Sequence, residues 1–125
     1  MNSLIVMMGG ALGALARYHL GRMALSTLGS AFPWGTLIAN ISGGLAMGVL
    51  VGWLSRFATG GGEQLRLLLA VGVLGGFTTF SAFSLETVLM IHRGQYLVAS
   101  GYVAVSVIGA LAALMLGLSV MRGIA

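Results

Sequence analysis

The side chains able to do chemistry in this sequence are few, and they lie in or beside long apolar stretches. Asn40 is the one strongly polar residue of its stretch, and its amide offers two hydrogen-bond donors. Glu86 is the only acid inside such a stretch, while Arg17 lies late in another. An ionisable residue within an apolar span is a candidate for function by default. These residue types suit the binding or passage of an ion, because the sequence offers no nucleophile–base pair and no metal-ligand cluster for catalysis.

A second candidate is the segment GVLGGFTTFSAFS, residues 72–84, which lies within an apolar run over residues 65–91. Its adjacent glycines, Gly75 and Gly76, each weaken a helix by about 1 kcal/mol relative to alanine. The hydroxyls of the two threonines that follow can bond nearby backbone groups. Within a membrane, non-helical backbone is tolerated only where protein buries it or where it lines a water-filled cavity. The segment therefore predicts a helix break that is either an ion site or a simple kink.

Composition indicates what kind of scaffold positions these residues. Of 125 residues, 58% are hydrophobic and 6% are charged, against roughly 25% charged in a soluble domain. With a mean hydropathy of +1.06, the chain is predicted to be an integral membrane protein. Its 21 glycines are typical of transmembrane helices that pack closely through small residues. The lack of cysteine excludes disulfides and thiol chemistry, and the net charge of +4 favours anions near the mouth of a pore.

Four apolar spans are predicted, the third broken near its middle, at about residues 4–24, 34–54, 65–91 and 96–121. Each has enough residues to cross a hydrocarbon core of about 30 Å. Trp34 and Trp53 stand at the two ends of the second span, where aromatic residues anchor helices at the membrane interface. We expect a single all-α transmembrane domain in a lipid bilayer, with no soluble domain and no nucleic-acid partner.

The arginines carry the information on topology. Four spans place both termini on one side of the membrane, together with Arg56, Arg66 and Arg122. The other side carries Arg17, Arg22 and Arg93. Because three against three leaves almost no positive-inside bias, the chain can insert in both orientations. Two oppositely oriented copies can pair about a two-fold axis in the membrane plane, so we expect an antiparallel, dual-topology homodimer.

An ordered set of motifs runs through the first three spans. Its residues are Gly9-Gly10 to Gly13-Ala14 and Arg17-Tyr18, then Gly35-Thr36 to Asn40 and Gly43, then Gly72, Gly75 to Ser81, Phe83 and Glu86. This set, with GGFTTFS at its centre, resembles the Fluc (CrcB) fluoride channels, which are small dual-topology membrane proteins. One position departs from the family pattern: Ala82 stands where a hydroxyl residue is usual. The departure removes a potential donor and bears on the rate of permeation more than on identity.

The resemblance implies a path for fluoride. Phe80 and Phe83 would line two pores, one contributed by each subunit to each path, although composition alone makes them core or lipid-facing aromatics. An aromatic ring is positive at its edge, so a ring presented edge-on can partly replace water around a small anion. Asn40 would donate to fluoride, or else form a helix–helix hydrogen bond. Weaker candidates, because hydroxyls in membrane helices often bond their own backbone, are Ser81, Ser84, Tyr102 and Ser106.

The resemblance also implies a structural Na⁺ at the dimer centre. Its ligands would be the main-chain oxygens of Gly75 and Thr78 from both subunits, since free carbonyls at a helix break suit a cation. The residues alone leave a kink equally open. Arg17 and Glu86 would belong to a vestibule or gate, or would simply extend toward the membrane interface.

The function implied is a fluoride-specific channel that exports F⁻ passively across a bacterial inner membrane and relieves fluoride toxicity. The alternative is a proton-coupled exporter of the small multidrug-resistance type, which is also four-span and dual-topology. That type resembles a chain with a membrane-embedded acid in the first span, so Glu86 would have to take this role here. A membrane scaffold without transport leaves the polar residues unexplained, and an enzyme is least favoured.

Overall fold

Helices are the only regular elements in the described part of the chain, residues 1–57 and 62–123 of the computed structural model. They are α1 Asn2–Leu28, α2 Trp34–Phe57, α3 Gly62–Arg66, a π-helix Leu67–Leu74, α4 Gly75–Phe77, α5 Ser81–His92 and α6 Tyr96–Gly123. The interval that the sequence predicts between the second and third spans, residues 55–64, lies partly outside the described residues, and α2 and α3 extend into it from either side. Gly29 (φ 84°) and Gly94 (φ 76°) follow α1 and α5, in left-handed backbone that glycine adopts without strain.

Four segments are long and apolar enough to cross a membrane: Asn2–Leu28, Trp34–Arg56, the composite Gly62–His92, and Tyr96–Gly123. Many of their large hydrophobic side chains are exposed, including Leu97 at 87%. Such an apolar surface is unfavourable in water, whereas lipid tails are as apolar as these side chains. The protein is therefore an all-helical, multi-pass membrane protein.

The third of these segments changes its backbone geometry along its length. Leu67–Leu74 is a π-helix, in which hydrogen bonds join residues five apart and not four apart as in an α-helix. A π-helix of this length is rare. After α4 ends at Phe77, Thr78 is extended, with φ −84° and ψ 158°. Because α5 begins only at Ser81, residues 78–80 lie between two helices. We call residues 78–80 the non-helical segment. The Thr78 N–H still donates to the Leu74 carbonyl at 3.0 Å, and the Phe80 carbonyl accepts the Ser84 N–H at 2.8 Å, so it is mainly the backbone of Thr79 that needs partners outside a helix.

Glycines bring the helices into backbone contact. α2 and α6 share the most extensive interface, where a Cβ added at Gly117 of α6 would lie 2.6 Å from the carbonyl oxygen of Leu45 in α2. α1 packs mainly on the π-helix, where a Cβ at Gly9 would lie 2.5 Å from the carbonyl oxygen of Leu68. Any side chain at either glycine would force the helices apart. Small residues thus hold this bundle together, as they do in membranes, where no hydrophobic force acts between helices.

A small core is buried where α2, α5 and α6 meet. It consists of Leu37, Met90, Ala99 and Tyr102. Tyr102 and Met90 are its largest fully buried side chains, and Phe32 and Phe83 pack against the cluster. This core fixes α5, and with it the residues that follow the non-helical segment, relative to α2 and α6.

Candidate functional site

Asn40 binds the backbone of the non-helical segment directly. Its Nδ2 donates a hydrogen bond to the Thr79 carbonyl oxygen at 2.9 Å, and the Thr79 N–H donates to Asn40 Oδ1 at 2.8 Å. The side-chain amide therefore pairs with Thr79 through both of its polar atoms. Gly43, about one turn along α2, provides room, because a Cβ there would collide with Thr78 Cγ2. Thr79 uses one of the two Nδ2 hydrogens, which leaves the second for another acceptor.

Two backbone N–H groups that would bond carbonyls in a continuous helix donate to side chains instead. In a regular α-helix the Thr79 N–H would bond the Gly75 carbonyl, but here it donates to Asn40. The Ala82 N–H would bond the Thr78 carbonyl, but here it donates to Thr79 Oγ1 at 3.1 Å. Thr79 thus caps the beginning of α5, a usual role for threonine. As a result, the carbonyls of Gly75 and Thr78 lack the donors that would close a helix around them.

These two carbonyls fit the cation that the resemblance implies. They are neutral oxygen donors, and unwound backbone carbonyls are a recurrent way of coordinating Na⁺ in membrane proteins. Gly75 is exposed on the surface of the single chain, while Thr78 is half-buried. Two carbonyls would fill only part of the coordination shell of Na⁺, so further ligands would have to come from elsewhere.

An open groove of about 380 Å³ lies between α2, α6 and the non-helical segment. Its lining is mostly apolar, with polar groups supplied by Asn40, Thr78, Thr79 and Ser106. Phe80 and Phe83 also line it, and their ring centroids lie 5.8 Å apart. Phe80 is 79% exposed on the single chain, so most of its ring is open to the groove or to the surroundings of the chain. The groove therefore gathers four of the residues singled out for the fluoride path: Asn40, Phe80, Phe83 and Ser106.

Ser106 carries an unsatisfied donor in this groove. The residue is 5% exposed, and within the described ranges its Oγ is the one buried side-chain polar atom without a protein partner. Burying an unpaired hydroxyl costs about 1–3 kcal/mol. The candidate serines of α5 avoid that cost: Ser84 Oγ donates to the Phe80 carbonyl at 2.9 Å. Ser81 Oγ lies 3.3 Å from the hydroxyl of Thr79. Neither of these two serines lines the groove.

Tyr102 is fully buried next to Phe83, and it links several aromatic rings. Its hydroxyl donates to Glu86 Oε1 at 3.1 Å. Its ring centroid lies 5.2 Å from that of Phe83 and 5.3 Å from that of Phe32. Phe32 in turn lies 4.7 Å from Trp34. We call this set the aromatic series; in contact order it is Phe80, Phe83, Tyr102, Phe32 and Trp34.

A second cavity, of about 390 Å³, gathers charged residues near the ends of α1 and α5. Arg17, Glu86 and Arg93 all line it, together with Thr36 of α2. Two guanidinium groups beside one carboxylate give the cavity a positive balance, which favours anions. Arg17 and Glu86, singled out separately in the sequence, thus share one cavity. Ala82, the position that departs from the family pattern, lines this cavity and not the groove.

Three residues of these two sites were not assigned to a site from the sequence: Thr79, Thr36 and Arg93. Thr79 had a readable signal, because a threonine shortly before a helix is typical of a capping residue. Thr36 is buried, and its side chain interacts with the hydroxyl of Tyr102. For Arg93 the only signal was a charge just after the end of the third span, the side to which Arg17 was also assigned.

Comparison with known proteins shows the family to which the chain belongs. Residues 4–118 match the family model described as CrcB-like protein, Camphor Resistance (CrcB). A protein of Novosphingobium aromaticivorans, named Fluoride-specific ion channel FluC, is 57% identical over 122 residues, which cover 96% of this chain and 95% of the relative. Proteins of the same name from Sphingopyxis alaskensis and Hyphomonas neptunium are 54% and 50% identical, over 98% and 97% of this chain and 97% and 95% of their own. These relatives are named as channels and not as enzymes. The chain belongs to the CrcB-like family.

Proposed function

We propose that this protein is a fluoride-specific ion channel that lets F⁻ leave a bacterial cell passively across the inner membrane. Membership of the family and the name that its relatives share support fluoride as the ion. The observation that carries the proposal is the groove, because it assembles hydrogen-bond donors and aromatic rings around one open space. Its described lining residues include no charged side chain.

Neutral donors suit conduction of fluoride. Fluoride is small and strongly hydrated, so a path must offer donors that offset the loss of water. The second Nδ2 hydrogen of Asn40 and the hydroxyl of Ser106 supply such donors inside the groove. The ring edges of Phe80 and Phe83 add partial positive charge. Conduction requires binding that is favourable enough for entry and weak enough for exit, and neutral groups meet both conditions better than a fixed cation.

The positive cavity supplies an entrance. Arg17 and Arg93 raise the local concentration of anions there. Phe83 of α5 lines the groove, while Glu86, three residues later on the same helix, lines the cavity. The path that we propose therefore runs between the two spaces past Phe83 and Tyr102. Ser81, Ser84 and the Tyr102 hydroxyl are secondary donors along it.

The working unit in this proposal is an antiparallel homodimer of dual topology. Three features support it: the even distribution of arginines between the two sides, the exposure of Phe80, and a groove that is open along the single chain. A second copy would close the groove and bring its own phenylalanine to it. The third segment acts as a broken helix in this arrangement, and the Gly75 and Thr78 carbonyls of both copies share one structural Na⁺ that is not transported.

Fluoride efflux from proteoliposomes tests the proposal. Vesicles containing the purified protein are loaded with fluoride, and release is followed with a fluoride electrode in the absence of a proton gradient. We expect rapid loss of fluoride without proton movement, and slow loss from protein-free vesicles. If efflux needs a proton gradient, or drives protons, the exporter is correct and the channel is not.

Topology reporters test the dimer separately. Fusions at Ala125 report on which side of the membrane the C-terminus lies. Two populations are expected in cells that express the unmodified chain. A single orientation in a protein that still conducts fluoride would exclude the antiparallel dimer while leaving the channel proposal intact.

A further inference from the structure

The bonds that Asn40 and Thr79 make within the groove have a consequence for the carbonyls behind them. In an α-helix, each peptide N–H donates a hydrogen bond to the carbonyl four residues earlier. Asn40 accepts the Thr79 N–H, which would otherwise bond the Gly75 carbonyl. The Thr79 hydroxyl accepts the Ala82 N–H, which would otherwise bond the Thr78 carbonyl. The two carbonyls so affected are those that fit the proposed cation.

We infer that Asn40 and Thr79 are positioning residues for the structural cation, because they keep the Gly75 and Thr78 carbonyls from closing a helix. This inference rests on the cation site of the proposed function and adds residues that do not touch the ion. Asn40 thereby has two roles. Its Oδ1 and one Nδ2 hydrogen hold the backbone of Thr79, and the other Nδ2 hydrogen is the donor to fluoride in the proposed path. Thr79 contributes its hydroxyl to α5 and its peptide groups to Asn40.

The local packing supports a specific arrangement of this segment. The amide of Asn40 makes two bonds of 2.9 and 2.8 Å to a single residue, so Thr79 cannot move away without losing both. Thr78 lies against α2 where Gly43 has no side chain, and its own Oγ1 donates to the Leu74 carbonyl at 3.0 Å. The backbone of residues 78–80 is therefore held on the α2 side by Asn40 and Gly43, and on the π-helix side by Leu74.

The experiment measures how strongly the cation binds and not how fast fluoride passes. The unfolding temperature of the purified protein is recorded while NaCl replaces N-methylglucamine chloride at constant ionic strength. A cation that binds the native state raises this temperature with its concentration, which gives a half-saturating Na⁺ concentration. We expect Asn40→Leu, which has a similar size and no polar atoms, to raise the half-saturating concentration at least tenfold.

A second pair of variants keeps the test decisive if Asn40→Leu does not fold. Thr79→Val removes the hydroxyl that takes the Ala82 N–H and keeps the shape, so it should also raise the half-saturating concentration at least tenfold. Thr79→Ser keeps the hydroxyl and should restore a value within about twofold of the parent. Ser42→Ala is the matched control on α2, since its hydroxyl bonds only carbonyls of its own helix.

The outcomes separate this inference from the site on which it rests. If the parent shows no response to Na⁺, the cation site itself is wrong and the inference falls with it. If the parent responds and Thr79→Val keeps the parental half-saturating concentration, the cation site stands and the positioning role is refuted. If Thr79→Val raises the half-saturating Na⁺ concentration and Thr79→Ser does not, the positioning role is established. A merely structural loss would instead lower the unfolding temperature at every Na⁺ concentration and leave the half-saturating concentration unchanged.

Discussion

Replacing Ser106 with alanine should raise the stability of the protein and lower the fluoride flux at the same time. The Ser106 hydroxyl is buried without a protein partner among the described residues, and such a group costs about 1–3 kcal/mol. Alanine removes that cost, so we expect the free energy of unfolding to rise by about 1–2 kcal/mol. If the hydroxyl donates to fluoride in the groove, its loss removes a hydrogen bond to a charged partner, which contributes about 1.5–3 kcal/mol. At roughly 1.4 kcal/mol for each factor of ten, flux should fall about 10- to 100-fold.

The two effects need separate assays and one matched control. Denaturant unfolding in detergent measures stability, and fluoride efflux from vesicles at equal protein density measures flux. Ser100→Ala lies on the same helix, but the hydroxyl of Ser100 donates to the Tyr96 carbonyl at 2.8 Å, so in this control the free energy of unfolding should not rise and the fluoride flux should not fall. If Ser106→Ala conducts at the parental rate, the hydroxyl is not a donor to fluoride. If the variant is less stable than the parent, the hydroxyl already has a partner, and the reasoning from burial is wrong.

Other changes test the remaining parts of the site and the fold. Phe80→Ile and Phe83→Ile should each lower fluoride flux at least tenfold while the protein still assembles, because isoleucine is hydrophobic but has no positive edge; parental flux in both would make the rings packing groups only. Glu86→Gln should keep fluoride flux within a few-fold, since glutamine still accepts the Tyr102 hydroxyl; complete loss of efflux would favour proton coupling. Gly117→Ala should lower the free energy of unfolding by about 1–3 kcal/mol through overpacking, whereas Gly101→Ala, which meets no atom within 4 Å, should not destabilise; equal stabilities of the two variants would contradict the close contact between α2 and α6.

The coarse fold could be predicted from the sequence because hydropathy alone reports on burial in lipid. Four apolar stretches became four segments able to cross a membrane. The π-helix Leu67–Leu74 had no such signal. Its backbone packs against Gly9 of α1, a contact with a distant part of the chain that no local pattern reports. The packing of α6 on α2 through Gly117 is equally a property of two helices together.

The candidate site was predictable as a set of residues but not as a set of bonds. A lone amide at position 40 in an apolar helix needs a partner, and the sequence left open whether that partner was another helix or an ion. The structure shows that the partner is the backbone of Thr79, with one hydrogen left over. Hydropathy cannot predict the pairing of Asn40 with Thr79, because it carries no information on which peptide groups a helix leaves unpaired. The joint cavity of Arg17, Glu86 and Arg93 depends likewise on how α1 and α5 come together.

The aromatic series ends at Trp34, and that has a practical consequence for spectroscopy. The chain contains two tryptophans, Trp34 and Trp53, which stand at either end of α2. Trp34 contacts Phe32, which contacts the buried ring of Tyr102, so its fluorescence emission should respond to events in the positive cavity and in the core beside it. Trp53 lies about five turns away along the same helix and offers an internal reference. Two single-tryptophan variants would therefore report separately on the two ends of α2 without an added dye, and the emission of Trp34 would follow the occupation of the positive cavity by an anion.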